Sequence, residues 1–266
     1  MKKLLALLFV VLMLTATFGV CALAAEEATL SATAYVTIAA KGQLVVTQEA
    51  ITVTDIDSDG ALTVNDALYC AHEAKYDGGA AHGYNYYTGD YGLSLGTLWG
   101  DKSGSYGYYV NNNSCFSLAD PVKDGDCVTA FVYASSDWSD VYSYFDVTSV
   151  DAKVGQDITL TLSYMGYDAN WAPVYMPVEN ATITINGNAT EYKTDKDGKV
   201  TIKLSDAGNY VISAVSSTQT LVPPVCKVNV TANPDTSDSS LYIMIVAMVF
   251  VFAATTIVAR KNVYEK

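Results

Sequence analysis

Near its C-terminal end the sequence carries 19 consecutive residues without a charged side chain, at positions 241–259. At about 1.5 Å per helical residue such a stretch reaches about 28 Å, close to the thickness of one hydrocarbon core. Arg260 and Lys261 follow directly, and basic residues flank the cytoplasmic side of a membrane span. The sequence therefore predicts one transmembrane helix at 241–259, a cytoplasmic tail at 260–266 and a chain that otherwise lies outside.

The first residues have the pattern of an export signal. Lys2 and Lys3 precede an apolar run at 4–14, and Ala22 and Ala24 supply small residues at the positions that a signal peptidase reads. We expect a signal peptide at 1–25, with an uncleaved anchor as the alternative. Together the two ends predict a protein of the cell membrane or cell wall with an extracellular ectodomain.

Charge and cysteine content narrow the function classes. The chain has a formal net charge of −13, and an acidic surface repels nucleic acid, so nucleic-acid binding is excluded. Only Cys70, Cys115, Cys127 and Cys226 remain outside the predicted signal peptide. They are too few for a disulfide framework in a domain of this size, although a bridge between Cys115 and Cys127 stays open.

The ectodomain divides by pattern into two predicted domains. In the first, at 26–146, strand patterns at 34–39, 43–47, 106–110 and 127–133 surround one helix at 63–75. Lys41-Gly42 is the turn between the first two strands, a short run at 51–54 follows them, and Thr63 is the expected helix N-cap. Strands around a single helix predict a small α+β domain.

The second predicted domain, at 147–232, shows strand patterns only, at 157–164, 182–186, 200–204 and 210–215. Their spacing predicts an all-β, immunoglobulin-like sandwich. Tyr210 stands where such domains place a tyrosine that caps the preceding corner, and Ile212 replaces the usual cysteine. We expect this domain to serve as a spacer or stalk, followed by a linker at 233–240.

The acidic segment 55–66 has the spacing of a calcium loop of the EF-hand or dockerin kind. Carboxylates alternate, Gly60 permits a sharp turn, and a helix follows at once. The predicted ligands are Asp55, Asp57, Asp59, the backbone carbonyl of Ala61, Thr63 and Asp66. The alternative is an acidic turn that only caps the helix. A dockerin needs two such loops and the sequence has one, so cohesin binding is not implied.

Tyrosines crowd the glycine-rich region after the helix. Such side chains offer contact area at low entropic cost and can form a stacking face for a glycan or peptide. We take Tyr86, Tyr87, Trp99 and Tyr108 as candidate ligand-binding residues. The alternative is that some of the tyrosines belong to the core and the others are incidental.

Two apparent catalytic motifs are excluded because their residues are wrongly placed for catalysis or metal binding. Residues 92–96 match the serine-hydrolase pattern G-x-S-x-G around Ser94, but both histidines precede it and no helical pattern follows. Cys70 and His72 would lie about 160° apart around a helix axis and cannot share a metal. The sequence therefore predicts no enzymatic activity.

Several motifs resemble those of Gram-positive surface proteins. Leu98-Trp99-Gly100, residues 106–111 and Asp124-Gly125-Asp126 make the first domain similar to transcobalamin-type C-terminal domains. That resemblance implies a small recognition module, without cobalamin binding, because the helical barrel of the vitamin carriers is missing. Asn233-Pro234-Asp235-Thr236-Ser237 resembles a sortase signal, with Ser237 where glycine is usual. It implies either sortase cleavage or plain membrane anchoring.

These observations predict a non-enzymatic, surface-anchored module for recognition or adhesion, stabilised by Ca²⁺. Its expected partners are an extracellular glycan, peptide or small molecule, the membrane and, through the sorting-like motif, a sortase. The alternative is a surface receptor that captures a corrinoid, haem or glycan. A hydrolase is the least favoured reading.

Overall fold

The computed structural model describes residues 30–170 and 172–233. The predicted signal peptide, transmembrane helix and tail lie outside these residues, as does most of the sorting-like motif. Within the described part of the chain, no helix is both long enough and apolar enough to cross a membrane.

The described residues form mostly strands, with helices α1 (Val64–Lys75) and α2 (Ala80–Gly83). The strands are, in chain order, β1 (Ser31–Ala40), β2 (Gln43–Thr54), β3 (Asn85–Gly89), β4 (Gly92–Thr97), β5 (Tyr106–Val110), β6 (Asn113–Ser114), β7 (Cys127–Val132), β8 (Val141–Phe145), β9 (Ser149–Lys153), β10 (Asp157–Tyr167), β11 (Pro173–Pro177), β12 (Thr182–Ile185), β13 (Asn188–Lys193), β14 (Lys199–Lys203), β15 (Gly208–Val215), β16 (Leu221–Val222) and β17 (Cys226–Thr231).

Backbone contacts divide the chain into two compact units. Unit 1 contains the described residues up to 144 together with 164–174 and 215–224, and unit 2 contains 145–163, 175–214 and the residues from 225 onward. Two segments from the region that we assigned to the sandwich therefore group with unit 1. A sequence pattern marks where strands occur, but it carries no information on which distant segments pack together.

The main sheet of unit 1 has the strand order β2-β1-β7-β5-β6. β1 and β2 form an antiparallel hairpin, and β1 also pairs with β7 in parallel. Lys41 and Gly42 have φ values of 50° and 79°, as a type I′ hairpin turn requires, which confirms the predicted turn. The run at 51–54 is not separate, because it continues β2 past an irregularity where Gln48 has a φ of 45°.

Helix α1 confirms the predicted helix. Thr63 is its N-cap and forms a reciprocal capping box with Asp66. The apolar stripe of the helix is fully buried in one hydrophobic core with the inward-facing residues of the sheet. The buried stripe residues are Val64, Ala67, Leu68 and Ala71. This helix-on-sheet arrangement fixes the acidic loop that precedes α1 and the tyrosine-rich segment that follows it.

The tyrosine-rich segment contains an antiparallel hairpin, β3–β4, that the sequence analysis did not predict. Its glycines and exposed tyrosines weaken the alternating pattern by which strands are recognised. A second tight turn follows, in which Leu98 and Asp101 exchange backbone hydrogen bonds of 3.1 and 3.0 Å. The two residues between them, Trp99 and Gly100, both have positive φ.

Unit 2 is built from strands alone within its described residues, as predicted. One sheet has the order β13-β12-β15-β17-β9, and β10 pairs with β14 in antiparallel register. Ile212 is fully buried at the position of the missing cysteine. The Tyr210 hydroxyl donates a hydrogen bond of 2.9 Å to the Asp206 carbonyl, which is the tyrosine corner expected of an immunoglobulin-like sandwich.

Candidate functional site

The acidic loop brings three of the predicted metal ligands together. Oxygen atoms of Asp55, Asp57 and Asp59 all lie within 4.8 Å of one another. Left-handed backbone at Ser58 and Gly60, with φ values of 59° and 86°, curls the loop around them. Ca²⁺ is bound in proteins by closely spaced carboxylate oxygens of this kind.

Backbone amides hold the loop in this shape. The N–H groups of Asp59 and Gly60 donate to the two carboxylate oxygens of Asp55, at 3.2 and 2.9 Å. The bond from Gly60 contributes most to lowering the pKa of Asp55. The pKa of Asp57 is instead raised, first by burial and then by repulsion from Asp59 and Asp66. A cation bound among these carboxylates would offset that repulsion.

Asp66 and Thr63 lie outside the group of three carboxylates. Asp66 is fully buried, and its Oδ1 accepts from the N–H of Ile56 at 2.9 Å. Its Oδ2 accepts from the N–H and the hydroxyl of Thr63, at 2.8 and 2.6 Å. Both side chains thus serve the helix cap, as the acidic-turn alternative expected. Ala61, the remaining predicted ligand, is exposed and donates its N–H to Asp59 Oδ1 at 2.8 Å.

The four candidate aromatic residues separate into different surroundings. Tyr86 is half-buried beside the buried Tyr84, with ring centroids 6.2 Å apart. Trp99 packs against His72 and Tyr76, at centroid distances of 5.2 and 5.0 Å. Tyr87 is 56 % exposed. Tyr108 is half-buried, and its pKa is raised mainly by burial, with smaller contributions from its neighbours Cys115, Asp120 and Tyr87.

Two further exposed aromatics lie on segments that are hydrogen-bonded to the strands of Tyr87 and Tyr108. Tyr91, in the turn of the β3–β4 hairpin, is 77 % exposed, and Phe116 is 76 % exposed. Leu93 of β4 and Ser117 share two hydrogen bonds, of 3.0 and 3.1 Å, which tie the segment that carries Phe116 to the hairpin. We call Tyr87, Tyr91, Tyr108 and Phe116 the aromatic face. The sequence analysis missed Phe116, although a phenylalanine inside a polar turn was a signal that could have been used.

The rejected motifs have structural roles instead. Ser94 lies within β4, and its hydroxyl donates to the Gly92 carbonyl at 3.5 Å. His72 contacts Leu68 and Trp99, and His82 contacts the Gly78 carbonyl. Within the described residues neither imidazole is hydrogen-bonded to Ser94, so the pattern around Ser94 forms no catalytic pair.

The four cysteines of the described residues are free thiols, so the bridge between Cys115 and Cys127 is not formed. Burial raises the pKa of Cys115 to about 11 and that of Cys226 to about 12, and it also raises the pKa of Cys127. These three thiols therefore stay protonated at neutral pH and behave as small apolar side chains.

No protein-family model matches the sequence, and no curated protein matches it. Among solved structures, the four N-terminal immunoglobulin domains of Dscam1 isoform 7.44 align at 10 % identity with a TM-score of 0.24, over 40 % of this chain and 23 % of that one. A structure on Dscam isoform specificity aligns at 11 % identity with a TM-score of 0.24, over 40 % of this chain and 24 % of that one. The chain thus spans about a quarter of the length of these two matched chains.

A chain from a structure of T-cell activation by the bacterial superantigen toxic shock syndrome toxin-1 aligns at 15 % identity with a TM-score of 0.19. The alignment covers 34 % of this chain and 99 % of that one. Structural similarities this weak support no conclusion about function. The function is therefore inferred from the geometry of the chain itself.

Proposed function

We propose that this protein is a non-enzymatic recognition module at the cell surface that binds an extracellular polypeptide through its aromatic face. The observation that carries the proposal is the exposure of Tyr87, Tyr91 and Phe116 on one hydrogen-bonded part of unit 1. Large aromatic side chains left in water are the usual anchors of protein interfaces. Tyrosine supplies such contact area at low entropic cost.

The scaffold under the face supports binding without large rearrangement. Tyr87 projects from the β3–β4 hairpin, and the neighbouring glycines leave room for its ring, since a Cβ on Gly89 or Gly96 would lie 3.3 or 3.5 Å from that ring. The Leu118 N–H donates to the Leu93 carbonyl at 2.9 Å and anchors the second segment. A pre-organised surface loses less entropy on association.

Charge beside the aromatic face favours a basic partner. Asp90 precedes Tyr91 in the hairpin turn, and the carboxylate of Asp120 accepts from the Phe116 N–H at 2.8 Å. The whole chain is acidic as well. Complementary charge speeds association and selects partners, so we expect polypeptides with lysine or arginine next to apolar side chains.

The test is binding of the purified protein to an array of basic and acidic peptides. Tyr87→Ala and Phe116→Ala should each weaken capture of basic peptides by about tenfold or more, as loss of an interface anchor does. Tyr175→Ala is the matched control, because Tyr175 is similarly exposed, at 62 %, but lies on β11. Equal binding by all three variants and the wild type would exclude the aromatic face.

Calcium enters the proposal as a stabilising ion at the acidic loop. Asp55, Asp57 and Asp59 would hold the ion, and its positive charge would offset the repulsion among the three carboxylates. Support comes from their mutual distances and from the raised pKa of Asp57. Asp66 and Thr63 would act indirectly, by fixing the start of α1 next to the ion.

Surface anchoring rests on the sequence of the two ends and on the resemblance to Gram-positive surface proteins. Protease added to intact cells should remove the region 26–232 and leave a short C-terminal stub. A tag placed after Lys266 should stay protected, and its accessibility from outside would refute the topology. If a sortase acts at the motif, Thr236→Ala should move the protein from the wall fraction to the membrane fraction.

A further inference from the structure

A second surface of unit 1, separate from the aromatic face, forms an open cleft of about 360 Å³. Its walls include Tyr76, Trp99, Lys41 and Asp101, with Val132 and Ala40 beneath them. This volume falls within the range of about 300–1,000 Å³ that is usual for small-ligand sites. Neither the acidic loop nor the proposed polypeptide contact uses these residues.

The apolar part of the cleft is an aromatic corner. The rings of Tyr76 and Trp99 lie 5.0 Å apart at an interplanar angle of 87°, so they pack edge to face, and both residues remain partly exposed. The indole also packs against the buried His72, with ring centroids 5.2 Å apart, and the backbone N–H of Trp99 donates to that imidazole at 3.0 Å. The indole is therefore fixed in place rather than free to rotate into solvent.

The backbone conformation of Trp99 is unfavourable for a tryptophan, so formation of the turn does not explain why this residue occupies the position. Trp99 has a φ of 52°, in a tight turn whose central positions favour glycine or asparagine. A bulky residue in the left-handed region costs free energy and is uncommon. At Gly100, the next residue, an added Cβ would overlap the Tyr76 hydroxyl, so a larger residue there would displace that ring. The indole of Trp99 is thus placed at the cleft although its backbone conformation destabilises the turn.

The polar part of the cleft is one ion pair. Lys41 Nζ lies 2.8 Å from Asp101 Oδ2, and the two side chains are 63 % and 16 % exposed. Burial alone would raise the pKa of Asp101, but hydrogen bonds from Lys41 and Ser103 outweigh it and hold that pKa below its usual value. The cleft therefore offers a carboxylate acceptor and an ammonium donor side by side, and the pair has no net charge.

We propose that this cleft binds a neutral pyranose unit of an extracellular glycan. A pyranose has an apolar C–H face that stacks on an indole, and its rim carries neighbouring hydroxyls. One hydroxyl would donate to the carboxylate of Asp101, and the next would accept from the ammonium of Lys41. A cationic ligand fits less well, because it would have to displace Lys41 from Asp101.

The experiment is saturation-transfer NMR on the purified full chain, in a polyoxyethylene detergent that carries no sugar. The probes are methyl pyranosides of glucose, galactose, mannose and N-acetylglucosamine, with choline chloride as a cationic probe. We expect transfer to the ring C–H protons of at least one pyranoside. Trp99→Ala and Asp101→Asn should each weaken its binding by about tenfold, the loss of one charge-assisted hydrogen bond or stacking contact.

Two controls make the outcome decisive. Tyr87→Ala removes a ring of the aromatic face and should leave sugar binding unchanged. Sugar binding in the cleft and polypeptide binding at the aromatic face can therefore be refuted independently of each other. Lys41→Gln and Trp99→Phe keep the proposal testable if Trp99→Ala does not fold, as judged by circular dichroism. Transfer to none of the four pyranosides, equal affinity in the cleft variants, or binding of choline alone would overturn the proposal.

Discussion

The buried imidazole of His72 accepts a hydrogen bond from the backbone N–H of Trp99, with its Nε2 3.0 Å from the amide nitrogen. Its Nδ1 lies 2.6 Å from the carbonyl oxygen of Leu68. A carbonyl oxygen can only accept, so Nδ1 carries the proton and Nε2 is free of one. The neutral ring thereby joins α1 to the turn that presents Trp99.

This relationship predicts that unit 1 loses stability in weak acid. Burial lowers the pKa of His72 from 6.5 to about 4, so the unfolded chain takes up the proton first as the pH falls. The stabilisation is complete above about pH 6.5 and declines as the pH drops toward 4. A shift of this size corresponds to about 3 kcal/mol of unfolding free energy. Urea unfolding between pH 7 and pH 4 measures it.

The second histidine of the chain provides the control for that measurement. His72→Gln should be less stable at pH 7 but lose less between pH 6.5 and pH 4, because the titrating group is gone. His82 is exposed, so His82→Gln should keep the pH dependence of the wild type. Parallel curves for wild type and His72→Gln would show that another group controls the acid response.

Local signals in the sequence were enough for several elements. The Thr63 cap and the apolar stripe of α1, the Lys41-Gly42 turn and the corner at Tyr210 all depend on residues close together in the chain. Each was predicted, and each is present. Their physical causes act over a few residues, so a single sequence displays them in full.

Long-range relationships could not be predicted in the same way. The pairing of Lys41 with Asp101 joins two turns far apart in sequence, and no local pattern marks it. Asp66 matches the last position of a calcium loop by spacing, yet its carboxylate is turned to the helix cap. Tyr86 and Tyr87 read alike in the sequence, and only the β3–β4 hairpin places one against the core and the other in water.

The close approach of Gly107 and Phe131 gives a packing prediction. Gly107 lies on β5 against the buried ring of Phe131, and a Cβ at this position would overlap that ring. Gly107→Ala should therefore destabilise unit 1 by about 1–3 kcal/mol, as overpacking does. Thermal and urea unfolding measure the change.

A double-mutant cycle tests the cause of that loss. Phe131→Leu shortens the opposing side chain, so adding Gly107→Ala to it should cost less than adding it to the wild type. If the two substitutions are simply additive, the ring of Phe131 is not what excludes the methyl group.

The tyrosine corner of unit 2 predicts a smaller effect. Tyr210→Phe removes only the hydroxyl that donates to the Asp206 carbonyl at 2.9 Å, which should cost about 1 kcal/mol. Tyr192→Phe is the matched control in the same unit, because its hydroxyl lies 3.4 Å from the Lys203 carbonyl and is weakly bonded. We expect the melting temperature of unit 2 to fall more for Tyr210→Phe, and a larger fall for Tyr192→Phe would contradict this ranking.

Calcium should raise the melting temperature of unit 1 relative to excess chelator. Binding removes the repulsion among Asp55, Asp57 and Asp59 and fixes the loop before α1. With about 2 mM Ca²⁺ and a Kd of about 20 µM, the gain in unfolding free energy is about 2.7 kcal/mol. Magnesium should substitute poorly, because it demands a strict octahedron of ligands. Differential scanning calorimetry in chelator, Mg²⁺ and Ca²⁺ measures all three states.

Two substitutions in the same loop separate the metal site from the helix cap. Asp57→Asn removes a carboxylate whose pKa is raised first by burial and then by its acidic neighbours, so this variant should melt no lower than wild type in chelator and gain little from calcium. Asp66→Asn weakens a cap that bonds Ile56 and Thr63, and it should lower the melting temperature under both conditions by the equivalent of about 1 kcal/mol. The Asp55→Ala, Asp57→Ala double variant should abolish the calcium response. If it responds to calcium as the wild type does, the acidic loop is only a turn that leads into α1.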